Sequence, residues 1–238
     1  MNKTIINSDF LVIGSGLAGL TATFHASKIG NVSLVTKSKL NVSSSYWAQG
    51  GIAAAISEED SAELHYGDTI KTGNGIGDQN VIKILTSEGI ERVNELIELG
   101  MKFDSKDGKI QFGLEGGHCK RRVLHAGGDS TGSEVVKFLS SLVTTESNID
   151  IFENTTVIEL LVKDGICYGA NAFDWYRREQ IVFFAKKIII ATGGGSSIYS
   201  RSTNPYVSTG DGISLAYNIG AEIRDMEFVQ FHPTAFYF

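Results

Sequence analysis

Six residues near the start of the chain, Gly14-Ser15-Gly16-Leu17-Ala18-Gly19, have the spacing that brings backbone N–H groups against a diphosphate. They follow a short apolar run, Phe10 to Ile13, that reads as a buried strand. They precede Leu20 to Ile29, which has helical composition and is stopped by Gly30. In such a strand, glycine turn and helix, Gly14 permits the tight turn, Gly16 leaves room for a pyrophosphate and Gly19 lets helix and strand pack closely, while the helix N-terminus faces the phosphates. Val32 to Val35 supplies a second strand, which favours an ADP-containing cofactor over a chance glycine turn. The acidic residue that would end this second strand and hold the adenosine ribose is missing. No Asp or Glu occurs between Asp9 and Glu58, and Thr36 and Lys37 stand there instead. Either the motif is accidental, or a hydroxyl, an ammonium group and backbone hold the ribose, which removes the usual NAD signature and leaves FAD open.

Other residues with chemical potential are scattered. Glu115-Gly-Gly-His118 and His125 lie in a polar, glycine-broken stretch, and Glu115 taken alone reads as a solvent-facing carboxylate. Arg121 and Arg122 end a short basic cluster that reads as exposed charge, as a contact to a further part of the protein, or as a partner for an anionic ligand. Alternation along an expected strand would put Gln230 and His232 on one face, although His232 before a proline taken alone is a turn residue. His65 reads as surface, and His118 and His125 as groups that order their loop. Cys119 and Cys167 have neither a C-x-x-C nor a metal-ligand spacing, so reduced, incidental thiols and no metal site are expected.

The elements that must position these groups are legible in outline. The 238 residues, 42% of them hydrophobic, can bury one sizeable core. A net charge of −6 argues against a nucleic-acid surface. No run is long enough to span a membrane, and the first ten residues lack the apolar stretch of a signal peptide, so a cytoplasmic protein is expected. Residues 41–56, around Tyr46 and Trp47, read as a ligand-facing loop running into a helix or turn. Asp78 can cap a helix to Leu99 with Ile82, Leu85, Val93, Leu96 and Ile97 as its core face, and Gly100 as its stop. Thr131-Gly-Ser-Glu134 reads as a capping box opening a helix with Val135, Val136, Leu139, Leu142 and Val143 inside. Runs at 156–162, 166–173 and 180–184 read as a β meander, followed by a separate buried strand at 187–190 and the glycine turn Ala191 to Gly195. The pattern predicts an α/β, doubly wound, Rossmann-like sheet carrying a small antiparallel β meander.

Five segments in order, Gly14 to Gly19, Ser43 to Ala54 around Ala48-Gln49-Gly50-Gly51, Ala191 to Gly194, Ser208-Thr-Gly-Asp-Gly212 and Met226 to Thr234, resemble the flavoproteins of the succinate dehydrogenase, fumarate reductase and L-aspartate oxidase superfamily. The resemblance covers the chain but only the first half or less of a typical member. It implies FAD contact for Gly14, Ser15, Gly16, Leu17, Ala18, Gly19, Lys37, Ser44, Ser45, Tyr46, Trp47, Ala48, Gln49, Gly50, Gly51 and Asp211. For Asp211, helix N-capping is an equal reading of the residue alone. It also implies substrate-carboxylate contacts for Gln230 and His232.

Within the superfamily, Leu114-Glu-Gly-Gly-His118 resembles the aspartate oxidase segment, in which Glu115 would meet an α-ammonium group. An acid suits a cationic amine and would repel a bare dicarboxylate. The resemblance therefore implies FAD-dependent oxidation of L-aspartate to iminoaspartate in quinolinate and NAD biosynthesis, with oxygen or fumarate as electron acceptor and a functional link to quinolinate synthase. It further implies a single FAD-binding domain over 1–238, with the capping and C-terminal helical domains and the catalytic Arg beyond Phe238, so that no catalytic residue lies within this chain and the chain alone does not turn over L-aspartate. A soluble fumarate reductase or succinate dehydrogenase-like flavoprotein, and a truncated non-enzymatic fragment, are the alternatives.

Members that link FAD covalently do so through a histidine five residues before the loop glutamine, a position held here by Ser44. FAD is thus expected to be noncovalent. Acid precipitation of flavin-loaded protein should leave the yellow colour in the supernatant, and colour in the pellet would refute the assignment.

Overall fold

The computed structural model describes residues 3–232. In chain order its elements are β1 (Lys3–Ile13), α1 (Leu17–Ser27), β2 (Val32–Val35), β3 (Ile52–Ala53), α2 (Ala62–Thr72), α3 (Gln79–Glu98), β4 (Ser105–Lys106), β5 (Lys109–Ile110), β6 (Phe112–Gly113), β7 (Val123–Leu124), α4 (Thr131–Thr145), β8 (Ile149–Phe152), β9 (Thr155–Lys163), β10 (Ile166–Asp174), β11 (Glu179–Ile190) and α5 (Asp211–Asn218). Contacts divide the chain into two compact units, one formed by Met1–Trp47 with Val136–Phe238 and the other by Ala48–Val135.

The first unit is built on a mixed sheet ordered β8-β2-β1-β11-β10-β9. β8, β2, β1 and β11 run parallel, and β10 and β9 are antiparallel additions. This is the expected α/β sheet with a meander, joined more tightly than the sequence pattern predicts. The runs at 180–184 and 187–190 form one strand, because β11 pairs along its length with β1, from Lys3↔Gln180 to Ile13↔Ile190. Lys186, which breaks the apolar run, is exposed and pairs across the register with Asp9 at 2.6 Å. The same pairing draws Lys3 to Asp9 into β1, although Asn7, Ser8 and Asp9 are poor strand formers; partner hydrogen bonds outweigh propensity here. β9 and β10 meet through Asp164 and Gly165, both at positive φ, as a two-residue hairpin of right-handed twist requires. Leu11, Ile13, Val35, Leu160, Ile181 and Phe183 form the buried core, with Phe152 edge-on to Phe183 at 4.9 Å.

α3 of the second unit starts where the sequence indicates. The Asp78 carboxylate accepts from the N–H groups of Asn80 and Val81. Its expected core face is corrected at Leu85, which is 64% exposed. The rest of that face holds, with Val93 buried and Ile82, Leu96 and Ile97 half-buried, and buried Thr86 and half-buried Ile90 extend it. α2, whose polar composition and Gly67 hide it from periodicity, is capped by Ser61, which accepts from the Leu64 N–H. The capping box at Thr131 is also corrected. Thr131 is the first helical residue, and its hydroxyl accepts from the Ala126 N–H rather than bonding within the helix. Residues 219–232 contain no strand, so the expected alternation at Gln230 and His232 is absent, and the Phe236 to Phe238 run lies outside the described residues.

Two of the motif glycines are required by backbone contact. Gly14 sits at φ +111, where a Cβ would lie 2.3 Å from the Ala191 carbonyl oxygen, and at Gly19 it would lie 1.9 Å from that of Gly14. At Gly16 the nearest atom is Ser45 Oγ at 3.2 Å. Thermal melting should therefore show Gly14→Ala and Gly19→Ala each losing about 1–3 kcal/mol, and Gly16→Ala staying within about 0.5 kcal/mol of the parent.

Candidate functional site

In the first unit, the N-terminus of α1, the ends of β1, β2 and β11 and the start of α5 surround a cleft of about 460 Å³. Gly14, Ser15, Gly16, Leu17 and Ala18 form one wall, and Lys37, Ser44, Ser45 and Asp211 complete it. Gly19 does not line the cleft; it serves helix packing. The direction in which Gly16 would carry a side chain is open apart from the Ser45 hydroxyl, so backbone here can approach a bound group. That hydroxyl accepts from the Leu17 N–H at 3.1 Å, which puts a polar, movable group at the positive end of α1. The donor set of backbone N–H groups, hydroxyls and one ammonium suits a diphosphate joined to sugar.

The missing acid after β2 has a physical counterpart. Thr36 is buried, and its hydroxyl accepts from Ser15 Oγ at 2.9 Å. Lys37 donates to Thr209 Oγ1 and to Asp211 Oδ2, both at 2.5 Å. Burial opposes ionisation of Asp211, but the Lys37 and Thr209 hydrogen bonds outweigh it and hold the carboxyl below its usual range. Asp211 is thus the first residue of α5 and the anchor of Lys37; the N-cap position belongs to Gly210, at φ +76. Gly212 lets α5 close on the turn after β11, since a Cβ there would fall 1.8 Å from Thr192 Oγ1. Ser44 Oγ bonds Ser208 Oγ at 3.0 Å, tying the serine loop to the segment before α5. Tyr46 and Trp47 do not line the cleft, and Trp47 is 52% exposed.

A second depression of about 290 Å³ in the same unit gathers Gln230 and His232 with Arg201, Ser202, Thr203 and Asn204. The two expected carboxylate contacts are therefore brought together, beside an arginine that sequence reasoning had not singled out.

Ala48, Gln49, Gly50 and Gly51 belong to the second unit. The Ala48 carbonyl accepts from the Gly132 N–H, and Gly51 packs on β7, where a Cβ would meet the Leu124 carbonyl oxygen at 2.3 Å. Gln49 and Gly50 are exposed. Glu115 also lies here, its side chain 58% exposed and 3.8 Å from His125 Nε2. The His118 ring ties this region to Arg122, with Nδ1 3.1 Å from Nη1, while the main chain adds bonds from the His118 N–H to the Glu115 carbonyl and from the Asp104 N–H to the His125 carbonyl.

Arg122 overturns the expectation of exposed charge. It is 0% exposed; Nε and Nη2 donate to the two Asp60 oxygens at 2.7 and 2.9 Å, and Nη1 donates to Asp68 Oδ2 at 2.6 Å. Arg121, as expected, is exposed. His65, expected at the surface, is 8% exposed and packs on His118 with ring centroids 5.6 Å apart. Its Nδ1 has no hydrogen-bond partner among the described residues. Only the unrecognised helix α2 brings Asp68 and His65 to Arg122, so nothing short of the fold connects them. Burial tends to raise the Asp68 carboxyl, but the Cys119 N–H and Arg122 prevail and hold it at about 2. Burial, and then the Arg122 charge, push the His65 imidazole down.

Among the described residues no cluster of His, Cys, Asp or Glu could hold a metal ion, and no helix is long and apolar enough to cross a membrane.

Comparison with known proteins agrees with the cleft. Residues 9–237 match the FAD binding domain family model. The chain is 42% identical over 238 residues to the L-aspartate oxidase of Streptomyces coelicolor, covering 98% of this chain and 41% of the relative. To the chloroplastic L-aspartate oxidase of Oryza sativa subsp. japonica it is 41% identical over 232 residues, covering 95% of this chain and 36% of that protein. The chain thus spans about two fifths of the length of these curated relatives. Among solved structures, Mycobacterium smegmatis Sdh1 in complex with UQ1 superposes with a TM-score of 0.90 at 34% identity, over 97% of this chain and 41% of that one. The E. coli quinol fumarate reductase FrdA gives 0.92 at 30% identity, over 97% and 40%.

The ion cluster has a pH signature. Asp68, lowered from 3.8 to about 2, contributes stability that is present above 3.8 and lost as pH falls toward 2. His65, held below 6.5, adds a loss in the same direction, because below 6.5 the unfolded chain takes up a proton that the folded chain resists. Urea midpoints should therefore fall on acidification in both windows, and Asp68→Asn should flatten the lower one. A midpoint that does not change below pH 3.8 in the parent protein would contradict the assignment.

Proposed function

The chain belongs to the FAD binding domain family, and from that premise we propose that it is the FAD-binding part, over 1–238, of a flavoenzyme that oxidises L-aspartate to iminoaspartate. The observation that carries the reading is identity above 40% to L-aspartate oxidases across at least 95% of this chain. FAD, when bound, would supply the acceptor for a hydride equivalent from the substrate α-carbon and a route for its electrons to oxygen or fumarate. The chain's own residues bind and orient. The α1 N-terminus, with Gly16 left bare, holds the pyrophosphate, and Ser15, Thr36 and Lys37 serve the adenosine ribose side. Ser44, Ser45, Tyr46, Trp47, Ala48, Gln49, Gly50 and Gly51 serve the flavin side, and Asp211 keeps Lys37 in place.

Gln230 and His232 orient substrate carboxylate, His232 through a ring that donates to an anion. Glu115 takes the α-ammonium group, for which an exposed carboxylate is suited. The product feeds quinolinate and NAD synthesis in the cytoplasm, with quinolinate synthase as the functional neighbour.

The superposition on Sdh1 and FrdA keeps fumarate reduction as the second reading. Glu115→Gln in the full-length protein separates the two. It removes the charge that pairs with the amine, so kcat/KM for L-aspartate should fall by about 1.5–3 kcal/mol in transition-state terms while fumarate reduction changes little. Equal losses with both substrates would show that Glu115 only orders its loop.

A further inference from the structure

We propose that Arg122, held by Asp60 and Asp68, is the positioning residue that sets Glu115 for an ammonium group, so that selection of an amine-bearing substrate is decided by a buried ion cluster one step away from the contact residue. The inference rests on the reading of Glu115 as the amine contact. Glu115 does little to fix itself: its side chain is 58% exposed, and His125 Nε2, 3.8 Å away, is beyond hydrogen-bond reach. Its place is set by the chain around it. The His118 N–H donates to the Glu115 carbonyl at 3.3 Å and closes the turn. His118 Nδ1 then meets Arg122 Nη1 at 3.1 Å, and the Cys119 N–H donates to Asp68 Oδ2 at 2.8 Å. Between Glu115 and His118, Gly117 adopts φ +86 and approaches α2 so closely that a Cβ would lie 2.9 Å from Thr72 Oγ1.

Each of these ties leads to Arg122 or to the helix that Arg122 holds. Asp68 Oδ2 accepts both from Arg122 and from the loop backbone, so the guanidinium and the loop share one oxygen. Because guanidinium only donates, His118 Nδ1 must accept, which puts the His118 proton on Nε2. The planar fork fixes three directions at once, toward Asp60, Asp68 and His118, a geometry that an ammonium group cannot reproduce. The ion cluster therefore contributes direction as well as stability. Residues 115–119 thus have a rigid base under an exposed carboxylate. An error of about 1 Å in a group of that kind lowers its effect by up to about a hundredfold.

The test titrates the flavin-loaded full-length protein with L-aspartate and with succinate, which keeps both carboxylates and lacks the amine, following perturbation of the flavin absorbance. Arg122→Lys and Asp68→Asn should each weaken L-aspartate binding about 10- to 100-fold and leave succinate within about twofold. Flavin content and melting temperature select variants that fold. If Arg122→Lys fails to load flavin, Gly117→Ala strains the same turn without touching a charge and carries the same expectation. Equal weakening of both ligands, or unchanged L-aspartate binding in the flavin-loaded variants, overturns the proposal. Glu115→Gln separates this failure from that of the reading beneath it. If that variant loses L-aspartate selectively while Arg122→Lys and Asp68→Asn do not, only the positioning role falls. If it leaves the preference for L-aspartate over succinate unchanged, the amine contact falls and the positioning role with it.

Discussion

At the carboxyl ends of β1 and β11 two backbone turns come closer than side chains permit, and the cleft of the first unit depends on that approach. Ile13 pairs with Ile190, the Ala191 N–H donates to the Ile13 carbonyl, and the Gly14 N–H donates to the Val35 carbonyl. Three chain segments therefore end side by side. Only glycine at 14, 19 and 212 lets α1 and α5 close on these ends, because a Cβ at each would lie within 2.3 Å of an oxygen atom. Gly16 differs, since its side-chain direction meets no backbone and has only the movable Ser45 hydroxyl near it, at 3.2 Å. One motif thus contains glycines required by packing and one whose value lies in what it leaves empty.

The second unit faces a different constraint. A guanidinium removed from water carries a desolvation cost of several kcal/mol, offset only by partners of good geometry. Arg122 has them, with every guanidinium nitrogen donating to a carboxylate. Asp60 lies just ahead of the Ser61 cap of α2 and Asp68 within that helix, so the start and the middle of α2 are held by one side chain on the strand side of the unit. His65 shows the cost of that arrangement: a buried ring nitrogen without a hydrogen-bond partner among the described residues, kept neutral beside a permanent cation.

Local chemistry accounts for what could be read directly. The start of α3 at Asp78, the hairpin at Asp164-Gly165, β2 and the glycine turn into α1 each depend on residues within four or five positions of one another, so spacing alone reveals them. The roles of Gly14 and Gly19 follow for the same reason. Misreadings arose where a distant partner decided. β11 runs through Lys186 and Lys187 because β1 lies beside it, and α3 exposes Leu85 because its buried line is set by its neighbours and not by its own apolar count.

The candidate site divides along the same line. The amino-acid sequence by itself determined the phosphate-facing turn, the absence of an acid after β2 and the FAD binding domain family, because these reside in residue types at short, fixed spacing. Tertiary structure decided what Lys37, Asp211, His65 and Arg122 do. Their partners lie 174 residues away for Lys37 and 62 for Arg122, and a charge in a sequence carries no mark of whether it will end in water or against a carboxylate. That difference is electrostatic: burial makes an ion costly unless a counter-charge is supplied, and only the folded chain supplies one.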